Sequence, residues 1–298
     1  MSFEETKSPA DVYEGDFNQL NTKIEECFLK EPGPGIIPNN RDNDTKTEGF
    51  IVPCDDYSLS GYCAAWAYKR IAETAFKDIY IIIGHSSDGR SGILMEDFDT
   101  PLGITKTDSY FVRDIIDLTN ISNTKELFYQ NNSIKMQIPF LQYATKDKLN
   151  LLKIVCLSIG KDIDFNQIRV LSEAIKSTLG KTGKTATYIC SSNLVHFGEK
   201  YKYTPFLYNI KESVENIDYH AIELIKKKNS KNLIEFVEKE QTTIFGYKAI
   251  SLFIELIEGK ESKMLEYYQS DIFNTAEHKK QSSDAKKEDF VSYVSFEF

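Results

Sequence analysis

The run Asp78–Gly84 (DIYIIIG) constrains the fold more than any other stretch of the chain. Its successive isoleucines favour extended backbone, because β-branched side chains are stiff and pack well on a pleated surface. A strand that is apolar on both sides has both faces buried, and such strands belong to parallel sheets covered by helices. Gly49–Pro53 (GFIVP) reads as an earlier strand. Between the two, Ser60–Phe76 places Cys63, Ala64, Ala67, Ile71, Ala75 and Phe76 at helical spacing. A second unit follows: strand Leu151–Ile159, helix Phe165–Leu179, strand Thr185–Cys190. Two strand–helix–strand units predict an α/β fold, with a central, largely parallel sheet and helices on both faces.

An N-terminal helix is expected over Asp16–Leu29. The last third reads as helical around Asp218–Lys228, Ser230–Lys239 and Gly246–Glu258, then as two strands, Lys263–Gln269 and Phe290–Phe298. An edge hairpin made from that last pair would leave the sheet mixed. The polar stretches 31–48 and 274–288 are expected to be mobile loops. Apolar segments continue on both sides of each, so one domain over 1–298 is expected.

Composition removes several functions. With 41% apolar residues, 17 Tyr and 19 Phe, the chain can bury a sizeable core. Lys and Arg total 36 against 45 Asp and Glu, a net charge of −9. That balance argues against a nucleic-acid partner. No apolar run approaches the ~20 residues of a membrane span, so no membrane insertion is expected. Met1–Glu5 lacks the basic and apolar regions of a signal peptide. Five cysteines are an odd number and include no CxxC pair. This points to a reducing compartment, the cytoplasm with or without the nucleus, where the sequons at Asn43, Asn120 and Asn131 are irrelevant.

In open α/β sheets, ligands bind beyond the carboxyl ends of the strands. Three loops therefore matter: Cys54-Asp55-Asp56-Tyr57-Ser58, His85-Ser86-Ser87-Asp88, and Ser191-Ser192-Asn193-Leu194-Val195-His196. They are expected to meet in one pocket. Two strings mislead. Gly180–Thr185 (GKTGKT) resembles the end of a phosphate-binding loop, but position 178 is Thr and the segment leads out of a helix into a strand, so a turn is expected. Lys226-Lys227-Lys228 sits at a helix C-terminus, where it complements the helix dipole. Trp66, the only tryptophan, is expected in the core.

Several strings, taken in order, resemble the Memo family, which includes relatives of AmmeMemoRadiSam system protein B. They are Pro53–Gly61 (PCDDYSLSG), Gly84–Asp88 (GHSSD), Thr100–Gly103 (TPLG), Asn131–Pro139 (NNSIKMQIP), Ser191–Gly198 (SSNLVHFG) and Thr243–Gly246 (TIFG). The helix run Ala64–Lys69 and Tyr13, with Val12 in place of a tryptophan, fit the same pattern. The resemblance implies the fold of LigB-type extradiol dioxygenases, which are non-haem iron enzymes. It also implies a cytosolic role in signalling and cell motility, a protein or phosphopeptide partner, and iron or copper held by two histidines and a cysteine.

The departures shape the functional expectation. The family's ligand positions fall on Cys54, Ser87 and Phe245; its other polar positions fall on Asn132 and Asn193, and only His196 is retained. Serine is a poor ligand for such metals and phenylalanine is none. The expectation is a pseudoenzyme with a degenerate metal site, no cofactor, and a non-catalytic binding or scaffold function. Its pocket candidates are Cys54, Asp55, Asp56, Tyr57, His85, Ser87, Asp88, Asn132, Asn193, His196 and Phe245. The alternative is an iron- or copper-dependent oxidoreductase with a rebuilt site of Cys54, His85, Asp88 and His196, donors that also suit zinc. A third reading makes Cys54 and His196 a nucleophile–base pair.

Overall fold

The computed structural model describes residues 12–42, 47–129, 131–259, 261–273 and 289–298. Its centre is an open mixed sheet. Strands β1 (Gly49–Val52), β2 (Ile79–His85), β3 (Gly92–Ile93), β4 (Phe98–Thr100) and β5 (Gly103–Thr107) come from the first part of the chain. Strands β6 (Lys153–Ile159), β7 (Ala186–Ser191), β8 (His196–Phe197), β9 (Lys263–Gln269) and β10 (Phe290–Glu297) come from the rest. The order is β4-β5-β6-β2-β7-β1-β10-β8, with β3 also pairing β6 and β9 pairing β10.

The central ladder β6–β2–β7–β1 is parallel, as the apolar runs require. β10 is antiparallel to β1, β9 and β8. It therefore joins the terminal pair to the parallel sheet by its far end, at Phe296 and Glu297, rather than lying at the rim.

Helices cover both faces. Among the described residues these are α1 (Phe17–Leu29), α2 (Gly61–Glu73), α3 (Ser109–Leu118), α4 (Lys125–Tyr129), α5 (Asn132–Lys135), α6 (Gln137–Ala144), α7 (Phe165–Thr182), α8 (Ile210–Lys226), α9 (Ser230–Glu240) and α10 (Tyr247–Leu256). The alternation of β2 divides the core. Ile79, Ile81 and Ile83 pack with side chains of α3, α7, α8, α9 and α10, whereas Tyr80 and Ile82 pack with those of α1, α2 and α6.

Helix starts follow local chemistry. Asp16 accepts from the N–H groups of Asn18 and Gln19 at the head of α1. Asp164 and Gln167 form a capping box on α7. The GKTGKT segment ends α7 at Gly183, whose φ of 68° suits a left-handed cap. Its lysines go to Asp114 and Asp108.

The first polar stretch is laid against the body. The Arg41 guanidinium donates to Asp147 at 2.8 Å and to the carbonyls of Ile71, Thr74 and Ala144. Trp66 does not enter the core: it is half-buried, and its Nε1 donates to the Pro32 carbonyl, pinning the same stretch. Residues 274–288 lie outside the described residues. All five cysteines are free and buried. Among the described residues no helix is long and apolar enough to cross a membrane.

Candidate functional site

The parallel ladder brings the expected loops together. Val52 pairs with Ser191, Gly84 with Ser191 and His85 with Ile159, so β1, β7, β2 and β6 end side by side. Two close approaches complete the site. A side chain at Gly84 would come within 2.3 Å of Ser133 Oγ, so glycine is what lets α5 press on the end of β2. A side chain at Gly246 would come within 2.1 Å of Ser192 Oγ, so glycine lets the 243–246 segment close over the β7 loop.

The floor of the site is a network of buried polar groups. Asn193 Oδ1 accepts from the Cys54 backbone N–H at 2.9 Å, which ties the β1 and β7 loops together. Gln137 Nε2 donates to the Pro53 carbonyl at 3.0 Å and to Ser191 Oγ at 2.8 Å, and its Oε1 accepts from Tyr68 at 2.9 Å. Ser191 donates in turn to the Ser133 carbonyl. Asn131 Nδ2 donates to the His85 carbonyl at 2.9 Å and to Ser158 Oγ at 2.8 Å, and Ser133 Oγ also reaches that carbonyl. The sheet end, α5 and the start of α6 are thus cross-linked through side chains.

The Cys54 thiol lies in this floor, 8% exposed. Burial pushes its pKa up to about 12, against a smaller opposing pull from its hydrogen bond with Ser191. A thiol held protonated in this way is a poor nucleophile at neutral pH. His196 is 9% exposed and its Nδ1 lies 3.0 Å from the Thr243 carbonyl. Its backbone N–H and carbonyl both bond Thr243 Oγ1. Among the described residues no hydrogen bond joins the Cys54 thiol to the His196 ring, whose Nδ1 is turned to Thr243. Burial pushes the His196 pKa down, partly offset by the Thr243 carbonyl.

Beyond β2 the site opens into a cleft of about 290 Å3 lined by His85, Ser86, Ser87, Gly160, Lys161 and Phe245, with Tyr247 and Lys248 at one side. His85 Nδ1 is closed off from solvent and has no hydrogen-bond partner. Burial, with a smaller contribution from His196, holds its pKa down to about 4, so the ring is neutral. The ring of Phe245, 42% exposed, tilts against His196 with centroids 4.7 Å apart. Lys248 Nζ donates to the carbonyls of Lys161 and Ile163, fixing the cleft's far wall.

Other candidates lie elsewhere. Tyr57 is buried in the core, not in the cleft: its hydroxyl donates to the Met136 carbonyl at 2.6 Å and its ring stacks on Tyr13. Asp55 accepts from the Tyr293 hydroxyl at 2.8 Å. Asp56 is an exposed turn residue bonded to Ser58, and Asn132 is exposed on α5. Asp88 is exposed and committed to Ser86 and Arg90.

At the three positions expected to match the family's ligands, Cys54 is buried, Ser87 is exposed and Phe245 presents a ring. Among the described residues no group of three His, Cys, Asp or Glu side chains is placed to hold a metal ion.

Several residues of the network fell outside the candidate set, among them Gln137, Ser191, Thr243 and Asp218. Asp218 on α8 is fully buried. It accepts from the Val195 N–H at 3.1 Å and the Tyr267 hydroxyl at 2.9 Å, and so braces the loop that carries His196. A signal existed for Gln137, a lone amide inside the otherwise apolar run Met136–Leu141. Asp218 gave none, because an acid on a polar helix face reads as solvated.

Comparison with known proteins agrees with this geometry. The profile of the family described as Memo-like protein matches residues 8–286. A MEMO1 family protein of Methanopyrus kandleri is 27% identical over 272 residues, covering 88% of this chain and 91% of that protein. One from Saccharolobus islandicus is 28% identical over 265 residues, covering 86% and 88%. One from Methanobrevibacter smithii is 28% identical over 242 residues, covering 79% and 80%. With a family profile spanning nearly the whole sequence and its loops gathered at one end of the parallel ladder, the chain belongs to the Memo family.

Proposed function

We propose that this Memo-family protein has closed its inherited metal position and works as a non-catalytic binding or scaffold protein in the cytoplasm. The observation that carries the reading is the Phe245 ring packed 4.7 Å from the ring of His196, whose Nδ1 is committed to the Thr243 carbonyl. Phenylalanine has no lone pair to give, and burial holds the Cys54 thiol protonated. What remains is a cleft with an aromatic wall, a neutral imidazole, two hydroxyls and the exposed Lys161 at its edge. Such a lining suits one or two side chains of a protein or peptide partner, which agrees with the signalling role the family resemblance implies.

A purified random peptide library tests the binding function. Enriched peptides are expected to bind the unaltered chain and to lose at least tenfold in affinity on Phe245→Ala or Lys161→Glu. Absence of enrichment, or equal binding by both variants, sinks the reading.

A second reading draws on the unpartnered Nδ1 of His85. With His196 it offers two imidazoles, and iron, copper or zinc shared with Cys54 would make a rebuilt oxidoreductase centre. Asp88, turned to Arg90, would take no part.

A further inference from the structure

The cleft beyond β2 carries a charge bias. Lys161 and Lys248 line it, and among the described residues no Asp or Glu does. The acids beside it are committed elsewhere. Asp88 accepts from Ser86 and Arg90, Asp162 from Ser91, and Glu238 from the Tyr247 hydroxyl. In a chain of net charge −9 such a lining runs against the average.

Helix α10 begins at the same place. Gly246 is its N-cap, and no side chain caps it. The Tyr247 N–H donates to the Ile244 carbonyl and the Ile250 N–H to that of Gly246. Between them, the N–H groups of Lys248 and Ala249 have no acceptor among the described residues. Orphan donors of this kind give a helix N-terminus roughly half a positive charge.

His85 supplies an independent donor. A neutral imidazole carries one N–H. Nδ1 is closed off from solvent with no partner, whereas Nε2 makes no hydrogen bond within the chain and is not closed off. The proton therefore belongs on Nε2, where a guest in the cleft can accept it.

The lining also sets the size and charge of that guest. At about 290 Å3 the cleft is just below the ~300–1,000 Å3 of sites for drug-sized ligands, so one residue-sized group enters. His85 is neutral, two hydrogens of the Lys248 ammonium are spent on carbonyls, and no arginine lines the cleft. One lysine without an ion pair, Lys161, and a helix terminus suit a single negative charge. A doubly charged phosphate is better matched by the fork of an arginine.

We propose that the cleft recognises a carboxylate, seated between Lys161, the N-terminus of α10 and His85 Nε2, with the apolar residue beside it laid on Phe245. The inference rests on the binding function proposed above and names the group through which a partner is read. Two sources share this chemistry, the C-terminus of a peptide and an acidic side chain.

Isothermal titration of the full chain with three acetylated peptides tests the proposal: Gly-Ser-Gly-Leu with a free carboxylate, the same peptide as its amide, and Gly-Glu-Leu-Gly as its amide. One-to-one binding of an acid-bearing peptide is expected, with the acid-free amide at least tenfold weaker. The first peptide above the third identifies a terminal carboxylate; the reverse order identifies an acidic side chain. Lys161→Gln is expected to weaken the preferred peptide at least fivefold and to leave the melting temperature unchanged. Raising NaCl from about 50 to about 300 mM is expected to weaken it too. Equal binding of acid and amide, binding of none of the three, full affinity in Lys161→Gln, or displacement of the bound peptide by inorganic phosphate at lower concentration than by acetate overturns the inference. None of these results touches the peptide-library experiment, so the binding function would stand or fall separately.

Discussion

The floor and the mouth of the cleft are built from neighbouring strand ends, yet they handle polarity in opposite ways. Below β1 and β7, the groups of Cys54, Gln137, Ser191 and Asn193 satisfy one another and are shut away from water. Beyond β2 and β6, His85 keeps an unpartnered nitrogen, Ser87 faces solvent and Phe245 exposes an edge. Paired buried polar groups fix loop geometry because breaking one pair strands another. Groups that face solvent without a buried partner, as Ser87 does, contribute little to holding a loop and remain available to a ligand. The floor should therefore respond to mutation as structure and the mouth as a binding surface.

The largest effect is expected at Gln137. Gln137→Ala removes the donor to the Pro53 carbonyl and to Ser191 Oγ and one of the two acceptors of the Tyr68 hydroxyl, and opens a cavity. A loss of about 3–5 kcal/mol follows, seen as a fall of roughly 10 °C in thermal unfolding. A loss comparable to that of a surface variant would show that the floor network does not hold the site.

The next effect depends on pH, and its two sources oppose each other. Asp218 has its pKa raised from 3.8 to about 7, chiefly by burial. Between those values the folded chain keeps a proton that the unfolded chain has lost, so this group's contribution to stability falls as pH rises from about 4 to 7. His85 has its pKa lowered from 6.5 to about 4, chiefly by burial. There the unfolded chain holds the extra proton, so its contribution rises over that window. Each is worth on the order of a few kcal/mol. Relative to the unaltered chain, Asp218→Asn should become progressively more stable as pH rises through the window, and His85→Gln progressively less stable. Melting curves at half-unit steps between pH 4 and 7.5 check both signs; parallel curves for all three proteins would contradict them.

His196→Ala is expected to lower stability by about 1–2 kcal/mol, through loss of the Thr243 bond and the Phe245 contact. At the mouth, Ser87→Ala should change the stability read from thermal unfolding by no more than the ~0.5 kcal/mol typical of exposed positions. A large loss there would erase the distinction between floor and mouth.

What could be foreseen followed from how strongly each element writes itself into the residues. β2 and β6 are doubly buried, so their apolar runs were visible without neighbours. α2 and α7 carry a one-sided stripe and were placed within a few residues. α6 was missed because all eight of its residues are buried, leaving no polar face to set a period. β8, with two residues, is too short for any pattern. Loop convergence could be inferred from strand direction alone. The burial of Tyr57 and the bracing by Asp218 could not, since each depends on a partner about 50 to 80 residues away. Phe245 could be matched to an expected ligand position, but its tilted contact with His196 depends on tertiary packing.

The central claim is that polar pairing and an aromatic contact, rather than a metal ion, hold this Memo-family cleft. Titration of the tag-free full chain with Fe2+ under anaerobic conditions, and with Cu2+ and Zn2+, tests it most directly. The expected result is no stoichiometric binding of any of the three, with Cys54→Ser and His196→Ala indistinguishable from the unaltered chain. One equivalent of tightly bound metal that disappears in both variants would contradict the claim and leave the rebuilt oxidoreductase centre in its place.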